Sequence, residues 1–246
     1  METHGETSQR LYLTAPLCEG AEVDCSAPQA NYLLNVLRLG DGDRVRVFNG
    51  RDGEWLAGIV SQRRKDCRLA VISRLRPQIS GPDVDYLFAP LKHARLDYMV
   101  QKATEMGVRR LRPVITRRTI ASRVNLERMA ANAIEAAEQC GLLAIPEIAD
   151  LSPLESVLER WDPARRLIFC DESAEVATPL AALKAEAKAP LAVLIGPEGG
   201  FDPGERAKLL AQPYTLAISL GPRIMRADTA AVAALALVNT VTGEGW

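Results

Sequence analysis

From Val84 to Thr240 the chain alternates between two kinds of segment, and this rhythm most limits what it can fold into. Apolar, strand-forming runs (VDYLFAPL, RLRPVIT, IPEI, RRLIFC, PLAVLIG, YTLAISLG) are separated by stretches whose apolar residues recur three and four apart. Leu96, Met99, Val100, Ala103 and Met106 make one such helical face, ended by Gly107. Leu126, Met129, Ala130, Ala133, Ile134 and Ala137 make another, ended by Gly141. Further helices are expected at PLESVLERW, near 178–188, at PGERAKLLAQ and at ADTAAVAALALVNT. Strands alternating with helices predict an α/β domain on a largely parallel sheet.

The part before it reads differently. RLYL, DRVRVFNG, EWLAGIVSQ and CRLAVISRL cluster β-formers, with GDGD and NGRDG as turns and one helical stretch at Gln29–Arg38. Short strands with turn signals suggest a small β-barrel. The Pro/Gly-rich RPQISGPD separates the parts, giving an N-terminal domain at 1–78 and an α/β domain at 79–246.

Composition narrows the function. The longest apolar stretch, Ala230–Val238, is too short to span a bilayer, and Met1–Gly5 lacks a signal-peptide pattern, so a cytoplasmic location is expected. Five cysteines with no CxxC spacing and two histidines argue against a zinc site. Net charge is −1 but unevenly spread. Lys92–Arg128 carries a balance of +7, Arg63–Arg76 of +5 and Met129–Trp246 of −7. That polarity suits a polyanion-facing surface as well as it suits solvated, Arg-rich faces.

Two strand ends stand out. LAVLI leads into Gly196-Pro197-Glu198-Gly199-Gly200, and YTLAIS leads into Leu220-Gly221-Pro222-Arg223-Ile224-Met225-Arg226. In open α/β sheets ligands sit beyond the carboxyl ends of strands. Neither loop is a P-loop, and GxGxxG is absent. Their amide and carbonyl groups can instead pair with a ligand such as an adenine edge. Ordinary strand-to-helix turns would look similar, but two such loops favour a shared pocket.

LIGPEGGF with Glu205, and LGPRIMRADTA, resemble the two cofactor loops of the RsmE family in the SPOUT (α/β-knot) superfamily, methyltransferases that act on uracil N3 of small-subunit ribosomal RNA. QKATEMGV (101–108) and EAAEQCG (135–141) resemble its helix motifs, and NYLLNVLRLGDGDRVRVFNG (31–50) its PUA-like RNA-binding domain. The likeness covers nearly the whole chain, in order. It departs at Leu142 and Leu143, where the family usually has Arg, and at Arg226-Ala227-Asp228-Thr229-Ala230, where the family reads RTETA. Asp228 keeps an acid able to cap the last helix.

The resemblance implies a C-terminal trefoil-knot methyltransferase domain behind a PUA-like β-barrel, and S-adenosylmethionine (SAM) as cofactor. It implies cofactor contacts from Leu194, Ile195, Gly196, Glu198, Gly199 and Gly200, and from Ser219, Leu220, Gly221, Ile224, Met225 and Arg226. Leu194, Ile224 and Met225 would supply apolar walls, and glycine at 196, 199 and 221 would spare a Cβ where the ligand packs. Arg226 is the candidate to stabilise the anion formed at N3, Glu198 a candidate base, and Arg223 a phosphate contact or brace. Arg10, Arg38, Arg63, Arg64, Lys65 and the rest of the 63–76 cluster are candidate RNA contacts of the first domain, and Lys92, Lys102, Arg117 and Arg118 of the second. Expected partners are small-subunit (16S) ribosomal RNA or the assembled 30S subunit and a second copy of the chain, with no membrane and no metal. Ala230, Ala231, Ala233 and Ala234 would allow close helix approach at a dimer interface or within one subunit. Alternatives are a knot methyltransferase for another RNA or atom and a catalytically silent RNA-binding assembly factor; a nucleotide-dependent oxidoreductase lacks its fingerprint.

Overall fold

The computed structural model describes residues 9–63, 66–92, 94–174 and 179–242 and contains two compact units, one made of the chain up to Ser80 together with Ala137–Ala144, the other of Gly81–Ala136 and Ile145 onward.

In the first unit, β1 (Arg10–Tyr12), β2 (Glu22–Asp24), β3 (Arg44–Phe48), β4 (Glu54–Arg63) and β5 (Asp66–Arg76) form one sheet in the order β1-β3-β4-β5-β2. β1 runs parallel to β3, and the other pairs are antiparallel. Alternation places Val45, Val47, Leu69 and Val71 inward, where they pack with Leu11, Leu13 and Leu33. β2 escaped the sequence reading because its alternation spans only three residues. The expected helix at 29–38 is α1 (Ala27–Asn31), opened by a capping box of Ser26 and Gln29 and continued as a π-helical turn over Tyr32–Val36.

The Arg10 side chain is only 7% exposed, which corrects its expected role as an RNA contact. Its guanidinium pairs with Glu54 at 2.6 Å, stacks on the Phe48 ring and donates to the carbonyls of Ala137, Glu138 and Leu142. Arg76 pairs with the other Glu54 oxygen at 2.8 Å and donates to the Gly141 carbonyl at 3.0 Å. The two arginines thus satisfy carbonyls that helix termination at EAAEQCG leaves open. Arg68, of the same basic cluster, is paired with Asp24 and Glu22. Arg64 and Lys65, and the side chain of Arg63, lie outside the described residues.

The second unit is the expected α/β layer structure. Its strands are β6 (Val84–Phe88), β7 (Arg110–Ile115), β8 (Glu147–Ile148), β9 (Ser152–Pro153), β10 (Arg166–Cys170), β11 (Leu191–Ile195) and β12 (Thr215–Ile218). Its helices are α2 (Ala94–Glu105), α3 (Leu126–Cys140, whose last turn counts with the first unit), α4 (Leu154–Glu159), α5 (Pro179–Glu186), α6 (Pro203–Leu210) and α7 (Ala227–Thr242). The strand order is β12-β10-β11-β6-β7-β8, with β9 beside β7 and every pair parallel. All five residues of β11 are buried. Leu191, Val193 and Ile195 face a core with Met99 and Val100 of α2 and Ala231, Ala234 and Leu235 of α7. Ala192 and Leu194 face the other core, with Leu154 and Val157 of α4 and Leu209 of α6. Of the four alanines considered for helix approach, Ala231 and Ala234 are therefore used inside this unit, whereas Ala230 and Ala233 stay partly exposed.

Removing Glu54 would leave the buried Arg10 guanidinium without a counter-charge. Glu54→Ala is expected to cost about 3–5 kcal/mol in urea unfolding at neutral pH. Burial pushes the Glu54 carboxyl up, but hydrogen bonds from Arg76 and Arg10 outweigh it and hold the pKa below the ordinary value. A depressed folded pKa stabilises above the unfolded value, and that share is lost as pH falls through the folded one. The wild-type chain should therefore lose stability on acidification below the ordinary Glu range by more than Glu54→Gln does.

Candidate active site

Three strand ends build the site. After β11 the chain turns at Gly196–Gly200, closed by the Gly200 amide on the Pro197 carbonyl at 2.8 Å with Gly200 at φ 68°. Asp202 then caps α6, its carboxylate accepting the Gly204 amide at 2.9 Å, while Glu205 reaches back to the Asp202 amide. The segment after β7 ties this loop down from one side. The Arg117 amide donates to Glu205 at 2.8 Å, the Arg117 guanidinium pairs with Asp202, and Arg118 donates to the Gly199 carbonyl at 2.8 Å.

After β12 the second loop leads into α7. The Ser219 hydroxyl accepts the Gly221 amide at 3.3 Å, and Gly221 sits at φ 111°, a conformation that side chains with a Cβ rarely adopt. Asp228 lies in the first turn of α7 and accepts the Thr229 amide at 2.9 Å, so the expected capping acid does satisfy a free helix amide. The third strand end, after β10, was not foreseen. Asp171 is buried there, accepts the Ser173 amide and pairs with Arg206 of α6 at 2.8 Å.

These three ends, with α6 and the start of α7, enclose a cavity of about 720 Å³. Of the residues expected to contact the cofactor, Ile195, Gly196, Glu198, Gly199, Gly200, Leu220, Gly221, Ile224, Met225 and Arg226 all line it. Leu194 and Ser219 are not in its lining. The Leu194 side chain is fully buried in the sheet core, which corrects its expected role as an apolar wall, and Ser219 instead braces the second turn. Ile224 is 89% exposed, an unusual state for isoleucine that leaves an apolar face available at the cavity. The lining that sequence reasoning missed includes Cys170–Ser173, Phe201, Arg206 and Leu210. A signal existed, since RRLIFC is also an apolar strand followed by a polar turn, but only the sheet order sets it beside the other two. Burial pushes the Cys170 thiol up to about 12, so this cavity wall carries no thiolate nucleophile.

The charged groups divide clearly. Glu198 pairs with Arg95 of α2, which also reaches Asp228 at 3.5 Å. Arg223 and Arg226 are exposed, and neither guanidinium has a partner among the described residues. Arg38 and Lys92 are exposed, and Lys102 pairs with Glu105 at 2.7 Å. Arg118, expected as an RNA contact, lines the cavity, and Arg117 is tied to Asp202 while remaining 63% exposed. Among the described residues no three His, Cys, Asp or Glu side chains converge as a metal site would require, and no helix is long and apolar enough to cross a membrane.

The glycines have distinct reasons. A Cβ on Gly196 would stand 2.5 Å from the Phe201 ring, which packs edge-on against Phe169 at 5.1 Å. This position is small because of the protein's own ring, contrary to the expectation that it spares room for a ligand. At Gly199 a Cβ would meet only the Arg118 stem, at 3.8 Å. Gly196→Ala is expected to cost about 1–3 kcal/mol in urea unfolding by overpacking Phe201, and trimming the ring in Gly196→Ala/Phe201→Leu should restore part of the loss that the glycine change alone causes.

Known proteins resemble the chain over most of its length. A model of the RNA methyltransferase domain matches residues 80–239, and one of the RNA methyltransferase PUA domain matches residues 26–72. The chain is 29% identical over 232 residues to ribosomal RNA small subunit methyltransferase E of Rickettsia conorii, covering 94% of each chain. It is 25% identical to the protein of the same name in Bacillus subtilis, over 91% of this chain and 92% of that one. A Legionella pneumophila structure in complex with the bound cofactor SAM superposes with a TM-score of 0.82 at 26% identity, covering 96% of this chain and 98% of that one. The fold is also that of ribosomal RNA small subunit methyltransferase E from Neisseria gonorrhoeae bound to S-adenosylmethionine, with a TM-score of 0.81 at 24% identity over 95% and 97% of the two chains. With the domain matched over well more than half its length and the PUA domain ahead of it, the chain belongs to the RNA methyltransferase domain family.

Proposed function

We propose that this protein transfers the methyl group of SAM to N3 of one specific uridine in 16S ribosomal RNA. The observation that carries the reading is the cavity itself, into which the GPEGG and LGPRIMR loops converge in a chain similar from end to end to small-subunit methyltransferases E. The residues present fit SAM. Ile195, Leu220, Ile224 and Met225 offer apolar surface, the loops offer main-chain donors and acceptors, and Gly199, Gly200 and Gly221 bring backbone to the cavity without side chains. SAM, when bound, supplies a methyl group already activated on a sulfonium, so the protein's work is mainly to position the acceptor.

Uracil N3 carries a proton at neutral pH, and losing it places negative charge on the base. Arg226 is the residue assigned to that charge, because it lines the cavity, exposed and without a partner among the described residues. Arg223, equally exposed on the same loop, would take a phosphate of the RNA. Arg38, Lys92, Arg117 and Arg118 remain candidates for backbone contacts, which give affinity without reading sequence. A homodimer, a threaded trefoil knot and action in the cytoplasm on RNA or the assembled 30S subunit belong to the same reading.

Transfer of labelled methyl from SAM to small ribosomal subunits lacking the modification tests it, and the absence of any transfer by the wild-type protein would overturn it. Arg226→Ala should lower the single-turnover rate on the order of 10²–10³-fold, with an unchanged urea midpoint; wild-type turnover in that variant would remove Arg226 from the mechanism.

A further inference from the structure

The sheet order leaves the two cofactor loops without a shared ladder. β10 lies between β11 and β12, so no backbone hydrogen bonds join the strand before GPEGG to the strand before LGPRIMR. β10 places the two strands through its own ladders, but beyond the strand ends any direct tie between the two loops must come from side chains or from the helices that follow. Arg95, in the first turn of α2, supplies such a link. Its guanidinium pairs with Glu198 in the first loop and, through Nε at 3.5 Å, with Asp228 in the opening turn of α7, two residues beyond Arg226. The bridge is sheltered at its Asp228 end and open at the other, with Asp228 14%, Arg95 31% and Glu198 49% exposed at the side chain. The two carboxylates it joins belong to the two loop motifs, whereas Arg95 itself lies in LKHARLDY, outside both.

Resting on the functional reading above, we propose that Arg95 is a positioning residue of the methyl-transfer site, bridging Glu198 and Asp228 so that the first cofactor loop and the Arg226 turn hold one arrangement. Glu198 is then a brace whose carboxylate is committed to Arg95, and it is not the group that takes the N3 proton. Partly exposed ion pairs add little to global stability. Small displacements of reacting groups, by contrast, cost large factors in rate. A positioning role therefore predicts damage to binding and rate without damage to folding.

The test uses the full chain as wild type, Arg95→Gln, Arg95→Lys, Glu198→Gln, Asp228→Asn and Arg95→Gln/Glu198→Gln. SAM affinity is read by calorimetry, folding by urea midpoint, loop order by amide hydrogen exchange of peptides covering 196–202 and 219–227, and transfer by single turnover. Arg95→Gln should weaken SAM binding and slow transfer, each on the order of tenfold or more, raise exchange in both loop peptides and leave the urea midpoint in place. Glu198→Gln and Asp228→Asn should reproduce this in part. The double variant should be no worse than Arg95→Gln alone, because the shared contact is already lost. Arg95→Lys should recover much of the loss. Wild-type affinity, rate and exchange in Arg95→Gln would overturn the proposal, as would additive losses in the double variant. So would a Glu198→Gln protein that binds SAM normally yet fails in transfer, the pattern of a lost base. If Arg95→Gln does not fold, Asp228→Asn and Arg95→Lys carry the same readouts, and normal affinity and exchange in Asp228→Asn overturn the bridge. If the wild-type chain binds no SAM, the functional reading falls and Arg95 with it; if the wild type binds and transfers while Arg95→Gln matches it, only Arg95 falls.

Discussion

The site depends on a parallel ladder in which β11 is buried on both faces between β10 and β6. Burying each large aliphatic side chain contributes about 1.5–3 kcal/mol, so Leu191, Val193, Leu194 and Ile195 hold this strand firmly in its register. Because every neighbour runs parallel, the carboxyl ends of β10, β11 and β12 open towards the same cavity. The sheet thereby turns three loops that are distant in sequence into one wall. The chemistry sits on irregular backbone, and the rigidity comes from the strands behind it.

Local interactions then shape that wall. Asp202 and Glu205 close the start of α6, while Arg117 and Arg118 fasten the first loop to the segment after β7. Phe201 fills the space that glycine leaves at 196. Asp171 and Arg206 tie the β10 loop to α6. These contacts commit most charged groups of the site to one another, which leaves Arg223 and Arg226, among the described residues, as exposed cations of the cavity lining without a partner. A site with many braced groups and few free ones suits a reaction whose leaving group is already activated and whose demand is geometric.

Much of this was legible in the chain. The strand–helix alternation named the α/β class, Gly107 and Gly141 ended their helices at positive φ, and the two glycine-containing loops pointed to the cavity. The misses share a cause: they depend on pairings that chain order does not contain. Arg10 reads in sequence as an RNA contact, yet its partner Glu54 lies 44 positions away and the carbonyls it caps lie 127 to 132 away. Leu194 looked like part of the ligand wall, but strand alternation turns it to the opposite sheet face from Ile195. The β10 loop carried only the apolar strand RRLIFC before it and Arg95 no local signature, and only the folded arrangement sets them against the other loops.

The most direct measurement of the central claim is nucleoside mass spectrometry of 16S ribosomal RNA after incubation of unmodified small subunits with the protein and SAM. The account predicts one new 3-methyluridine per RNA, mapped to a single nucleotide. Methylation at a ribose or at another base would keep the cofactor site and contradict the uracil-N3 assignment. No methyl gain, with SAM bound, would contradict the enzyme itself and favour a silent RNA-binding protein.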